Sequence, residues 1–296
     1  MEFRIIISGA SGKLGSLLIE SFKSQNVKIL PLSHKPKNGF IDIDLRVDVD
    51  KLSDLISDFE PNVIIHLAGC LRSKNDGDFI ANPQMALTLC EAIKKSKLQP
   101  LIISLGSASE IGIPESKFTS ESIKCSPVSG YGVSKLCQTE IFLTYSRMLG
   151  FPLSIIRLFN LFYIEGDEFM PVADWLNQLK NQKGKTIKTL DVWDPSIERD
   201  FLPVEIAVEY ISKFANINEG VGIVNLGSGK STGFNEILEV FQTYFDNKIE
   251  VEIKKTGTKS IPSVCADVSK LTALFGQPSY DLRTEICKIL DRNIEK

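Results

Sequence analysis

Three residues carry a definite chemical possibility. Tyr131 and Lys135 stand four apart in Tyr131-Gly132-Val133-Ser134-Lys135, and Ser107 lies upstream. If residues 130–149 form a helix, the phenol and the ammonium emerge on one face. Such a pair can give and take a proton. A free phenol titrates near pH ~10, and bringing it to about 7 needs roughly 4 kcal/mol of preference for the phenolate. One positive charge at about 5–6 Å, with an effective dielectric of ~20, supplies roughly 3 kcal/mol. Lys135 alone falls short, whereas Lys135 together with an oxidised nicotinamide ring suffices. Hydride transfer to or from a carbonyl carbon needs such a partner for the proton on oxygen. Tyr244 and Lys248 repeat the spacing, so spacing alone decides nothing. Only Tyr131 is preceded by an apolar strand ending in Ser104-Leu105-Gly106-Ser107 and, at the N-terminus, by a glycine-rich turn.

That turn is Gly9-Ala10-Ser11-Gly12-Lys13-Leu14-Gly15. An apolar run at residues 4–8 precedes it, and Leu14, Leu17, Leu18 and Phe22 follow at helical spacing. Strand, glycine turn and helix in that order bring backbone and a helix N-terminus close to a pyrophosphate. A second strand is expected at residues 27–32. An acidic residue at its end would accept the hydroxyls of an adenosine ribose, but the chain has Ser33-His34-Lys35-Pro36-Lys37. Those groups suit a phosphate dianion, which predicts NADP(H) over NAD(H). Asp44, followed by Leu45, is placed to meet an adenine amino group. Residues 61–69 form a continuous apolar strand of the buried parallel kind, with His66 packed inside it and Ala68 and Gly69 leaving room for a cofactor.

These groups need a scaffold. A helix is expected at 82–97, opened by Asn82-Pro83, then a strand at 101–104, a long helix at 131–149 and a strand at 153–158. Strand and helix alternate to about residue 160, the pattern of an α/β chain with a doubly wound parallel sheet. The rhythm then breaks. One helical piece is expected at 172–179, and residues 204–214 and 221–225 read as a helix and a strand that rejoin the sheet. The expected division is a Rossmann-type NADP-binding domain at 1–162 plus about 203–226, and a smaller substrate-binding lobe at 163–202 and 227–296. Gly227-Ser228-Gly229-Lys230-Ser231 imitates the tail of a phosphate-binding P-loop, but Val224 stands where that motif needs its first glycine.

Bulk properties remove other classes. A net charge of −3 argues against a general binder of nucleic acid or anionic membrane. Cys70, Cys90, Cys125, Cys137, Cys265 and Cys287 show no paired spacing, and His34 and His66 are the only histidines. No metal site is expected, and a reduced, cytoplasmic setting is. No stretch has the length and apolarity of a signal sequence or a membrane span.

The glycine turn, Ser107 and Tyr131…Lys135 together resemble the extended short-chain dehydrogenase/reductase family, the NAD-dependent epimerase/dehydratase-like enzymes that modify nucleotide sugars. The resemblance extends over nearly the whole chain, through HLAG at 66–69, Asn82-Pro83, RLFN at 157–160, RDFLPV at 199–204, NLGSG at 225–229 and ADVSKL at 266–271. It implies that Gly9, Ser11, Gly12, Lys13, Leu14 and Gly15 hold the cofactor pyrophosphate and that Ser33, His34 and Lys35 meet its adenosine end. Asp44 and Leu45 would face the adenine, Ala68 and Gly69 would line the ribose path, and Leu67 and Asn82 would also bind the cofactor. Lys135 would bond the nicotinamide ribose, Ser107 would steady the substrate oxygen and Tyr131 would exchange the proton. Asn160 and Arg199 would contact the sugar or its diphosphate, since a guanidinium forks onto such a group. The resemblance further implies a homodimer through the helices at 82–97 and 131–149.

Departures from the family pattern narrow the activity. Sugar dehydratases resemble Thr-Asp-Glu at the serine block, and this chain has Ser107-Ala108-Ser109 without that acid pair. Enzymes that epimerise beside a ketone carry a cysteine where Ser109 stands. C4-epimerases usually end the second strand in an acid and retain NAD. The usual Tyr-Gly-Pro is replaced by Phe162-Tyr163-Ile164, and an arginine expected before Asp267 is missing, with Lys259 as a stand-in. The expectation is an NADPH-dependent reductase of a nucleotide-linked 4-keto sugar. The alternatives are a nucleotide-sugar C4-epimerase with retained NAD(P) and a non-catalytic NADP-sensing binding protein.

Overall fold

The computed structural model describes residues 2–70, 79–162, 171–182, 187–192, 194–254 and 263–294. Tyr163, Ile164 and Lys259 lie outside them. The chain divides into two compact units. The first comprises Met1–Gly112, Glu121–Leu158 and Glu205–Leu226, and the second Ile113–Ser120, Phe159–Val204 and Gly227–Lys296.

In the first unit the order is β1 (Phe3–Ser8), α1 (Lys13–Phe22), β2 (Val27–Ser33), β3 (Ile41–Asp42), α2 (Val49–Phe59), β4 (Val63–His66), α3 (Ala81–Ser96), β5 (Leu101–Ser107), α4 (Gly130–Leu149), β6 (Leu153–Leu158), α5 (Val204–Ala215) and β7 (Gly222–Leu226). The strands form one sheet in the order β7-β6-β5-β4-β1-β2-β3, and every pairing in it is parallel. This is the Rossmann arrangement of an α/β chain. The apolar runs have a plain cause. Ile6, Ile64, Ile102 and Ile155 are buried with the apolar faces of α2, α3 and α4. Ile5, Ile7, Ile65 and Ile103 alternate with them and are equally buried. A sheet covered on both faces favours apolar residues at successive strand positions.

Strand order reverses between β1, which pairs with β2, and β4, which pairs with β1 and β5. Ligands of open parallel sheets bind outside the carboxyl ends of strands at such a reversal. The glycine turn leaves β1 there. Gly9 has φ +66°, and a Cβ on it would lie 2.6 Å from the Ala68 nitrogen; one on Gly15 would lie 2.5 Å from the Gly9 oxygen.

The second unit has its own core, built on Trp175, Leu176, Leu190, Phe201, Ile237, Phe241, Ile286 and Leu290. Its strands are short and paired across long separations. Phe118–Thr119 pairs with Cys265–Ala266 and Asn160–Phe162 with Phe201–Pro203, both in parallel. Residues 113–120 and 159–162, which strand–helix alternation groups with the sheet, thus pack here. Fully buried Asp200 accepts the backbone N–H groups of Ser228 (2.7 Å), Gly229 (3.0 Å) and Ala266 (3.0 Å), and the Ser228 hydroxyl (2.7 Å). The turn that imitates a P-loop is therefore filled by the protein's own carboxylate. Asp200→Ala strips three backbone N–H groups and one hydroxyl of this acceptor, and urea denaturation should show a loss of roughly 3–5 kcal/mol.

Candidate active site

A cavity of about 860 Å³ opens in the first unit beside the glycine turn. Of the residues expected to hold a cofactor, Gly9, Ser11, Gly12, Ser33, His34, Lys35, Asp44, Leu45, Leu67, Ala68 and Gly69 line it. Lys13 is exposed at the start of α1, Leu14 is half-buried and Gly15 is buried against the turn; none of the three lines the cavity. Gly12 caps α1 without a side chain, so the first turn of the helix is open to close approach. The residues fit a dinucleotide: glycines where any Cβ would collide, a helix N-terminus, and an elongated wall of both apolar and cationic groups.

At the adenosine end three expectations change. The Ser33 hydroxyl is not available as a phosphate donor. It is buried, bonds Ser11 Oγ at 2.8 Å, donates to the Lys35 carbonyl at 2.8 Å and accepts the Lys35 N–H at 3.2 Å. It shapes the loop that presents His34 and Lys35. Asp44 does line the cavity, but Arg46 forks onto its carboxylate at 2.9 and 2.6 Å and holds it down at about 2. Arg46 itself lines the cavity, and sequence inspection missed it. Its only signal was its place two residues after Asp44. Asn82 is likewise not a wall residue. It is fully buried, accepting the Cys70 N–H at 2.6 Å and donating to the Cys70 carbonyl at 3.0 Å and Ser134 Oγ at 2.9 Å. It ties the stretch after β4 to α4.

Ser107, Tyr131 and Lys135 come together where β5 ends and α4 begins. Ser129 caps α4 by accepting the Gly132 N–H at 3.0 Å. A Cβ on Gly132 would lie 2.3 Å from the Ser109 carbonyl oxygen, so the glycine after the tyrosine lets the helix lie against the serine segment. Tyr131 and Ser107 interact through their hydroxyls, and burial pushes the phenol above its ordinary value. The pull that opposes burial comes from Ser107 and not, as expected, from Lys135. Lys135 is buried and its Nζ donates to the Leu105 carbonyl at 2.6 Å and to Gln138 Oε1 at 2.9 Å. Burial lowers it to about 8, against an opposing pull from Glu110. Gln138 also donates to Ser104 Oγ and the Leu105 carbonyl. His66, buried beside this network, bonds Ser8 Oγ at 2.9 Å and is held neutral by desolvation, at about 3. Tyr244, the decoy, spends its hydroxyl on Asp291.

Asn160 and Arg199 belong to the second unit. Asn160 donates to the Asp200 carbonyl at 3.1 Å, and Arg199 to the Glu198 carbonyl at 2.8 Å. Among the described residues, no helix is long and apolar enough to cross a membrane.

The fold and this site define the class of nicotinamide-dependent oxidoreductases built on a Rossmann sheet. A model of the NAD dependent epimerase/dehydratase family matches residues 5–227, and the chain belongs to that family. It is 24% identical over 304 residues to a putative UDP-glucose 4-epimerase of Methanocaldococcus jannaschii, covering 97% of each chain. It is 23% identical over 264 residues to the GDP-6-deoxy-D-mannose reductase of Pseudomonas aeruginosa, covering 85% of this chain and 83% of that one. The fold is similar to that of MoeE5, solved in complex with UDP-glucuronic acid and NAD, with a TM-score of 0.84 at 19% identity over 98% of this chain and all (100%) of that one.

The buried lysine yields a pH test. Its value in the folded chain, about 8, lies below the ordinary 10.5. Between these values the unfolded chain binds a proton that the folded chain does not, so stability rises with pH. Relative to Lys135→Met, the protein should gain up to roughly 3 kcal/mol between pH 8 and 10.5, read from urea midpoints across that window.

Proposed function

We propose that the protein is an NADPH-dependent reductase of a nucleotide-linked 4-keto sugar. The observation that carries this assignment is the cationic end of the cavity. Lys35 and Arg46 line it with His34 beside them, and the one carboxylate there among the described residues, Asp44, is already neutralised by Arg46. Such a wall accepts a 2′-phosphate, and a phosphorylated cofactor that exchanges freely suits net reduction. The first unit would hold the cofactor. The second would hold the nucleotide sugar, with Asn160 and Arg199 on its sugar or diphosphate.

When bound, the dinucleotide supplies a hydride to the keto carbon. Ser107 Oγ orients the carbonyl oxygen by a hydrogen bond, and Tyr131 donates its phenolic proton to that oxygen as the alkoxide forms. A phenol held above its ordinary value enters this step protonated, as a donor must. Lys135 stabilises the phenolate that is left until a proton from solvent restores it. Buried Gln138 and the Leu105 carbonyl hold the ammonium in place.

A second assignment, a C4-epimerase that retains its dinucleotide, is favoured by the kinship with a putative UDP-glucose 4-epimerase. NADPH consumption against a panel of nucleotide-linked 4-keto-6-deoxy sugars, with NADH in parallel, separates the two. Consumption of NADPH in preference to NADH is expected. Tyr131→Phe should lower kcat by about 10²–10⁴-fold with cofactor affinity kept. Formation of C4-inverted sugar without added cofactor would give the assignment to the epimerase, and near-normal turnover of Tyr131→Phe would end the mechanism.

A further inference from the structure

Glu110 is the acid that the serine block carries just beyond Ser109, and the mechanism above gives it nothing to do. It is fully buried. Its Oε1 accepts the Ser107 N–H at 2.7 Å and the Thr139 hydroxyl at 3.2 Å. Gly106 makes room for it, since a Cβ there would lie 2.7 Å from Oε1. The other oxygen, Oε2, faces Arg157 Nε of β6 at 3.5 Å, and neither of these two atoms makes a hydrogen bond among the described residues. Arg157 reaches toward the Glu121 carbonyl (3.5 Å) and Cys125 Sγ (3.4 Å) instead. An acid present only to neutralise Arg157 would place its best bond on the guanidinium. This one places it on the backbone of Ser107. Two residues back along the same strand, Lys135 holds the Leu105 carbonyl. The end of β5 is thus gripped by an anion on one N–H and a cation on one C=O.

We propose that Glu110 is a positioning residue of the Ser107–Tyr131–Lys135 site: its carboxylate fixes Ser107 through the backbone and sets a buried negative charge on the same strand end that the Lys135 ammonium grips. This rests on those three residues being the catalytic set. The charged and titratable groups around it are Arg157 from β6, Lys135 and Tyr131 from α4, Cys125 from the segment before α4, and Cys70 beside Tyr131. Burial pushes the Glu110 carboxyl up, while Arg157, the Ser107 N–H and Lys135 draw it back down. In return Glu110 raises the proton affinity of both Lys135 and Tyr131. Both then keep their protons near neutral pH, the state in which Tyr131 can act as a donor.

Carbon-13 NMR of protein labelled at lysine Cε reads this without any substrate. The Lys135 resonance is identified by its loss in Lys135→Arg. Glu110→Gln keeps an oxygen for the Ser107 N–H but removes the charge, and the Lys135 midpoint, about 8 in the parent, should fall by about one pH unit. Because Glu110→Gln leaves Arg157 buried and unpaired, which can unfold a protein, Glu110→Gln/Arg157→Gln is measured beside it. A smaller fall in the same direction is expected there, since loss of the Glu110 charge lowers Lys135 and loss of the neighbouring Arg157 charge offsets part of it. A midpoint that stays at the parent value in the folded variant would overturn the proposal and leave Glu110 as a counter-ion to Arg157. Turnover plays no part in the titration, so its outcome is separable from that of the reductase assignment.

Discussion

One close approach governs the chemistry of this chain. The first turn of α4 comes so near the Ser109 carbonyl that a Cβ at position 132 would sit 2.3 Å from it. A glycine there lets the helix lie against the end of β5. That contact brings Tyr131 to Ser107, and one turn later Lys135 to the Leu105 carbonyl. Gly106 does the same from the other side, leaving room for the Glu110 carboxylate. Both glycines act by absence: what matters is the side chain that is not there.

Burial then sets the electrostatics. Removing the phenol and the ammonium from water penalises the charged form of each, which raises Tyr131 and lowers Lys135. A phenol in that condition is a proton donor in waiting. At the far end of the cavity an ion pair sets the electrostatics in place of burial. Arg46 cancels Asp44 there, and the surplus of positive charge falls to Lys35.

The sheet was legible because its strands are buried on both faces, so consecutive apolar residues at 5–7, 63–65 and 155–156 mark their centres. The glycine turn and the Tyr131–Lys135 spacing were legible for the same local reason. What escaped depended on contacts distant in sequence. Phe118–Thr119 carries no strand signal of its own, and it is a strand only because Cys265–Ala266 lies beside it. Ser33 and Asp44 line the cavity, yet their polar atoms are already engaged by Ser11, Lys35 and Arg46, which no spacing reveals. Glu110 went unnoticed because the acids sought at the serine block were those at positions 108 and 109. Asn82 was read as a cofactor-binding residue, but full burial turns it into a brace for Cys70 and Ser134.

Net hydride transfer from an exchangeable cofactor is tested most directly with NADPH deuterated at the nicotinamide C4, on the face transferred, and a nucleotide-linked 4-keto-6-deoxy sugar. The product should carry one deuterium, on the carbon that bears the new hydroxyl, with one NADPH consumed per sugar reduced. Interconversion of C4-epimeric nucleotide sugars with no deuterium taken from added cofactor would contradict it, and would place the dinucleotide in this chain as a retained group.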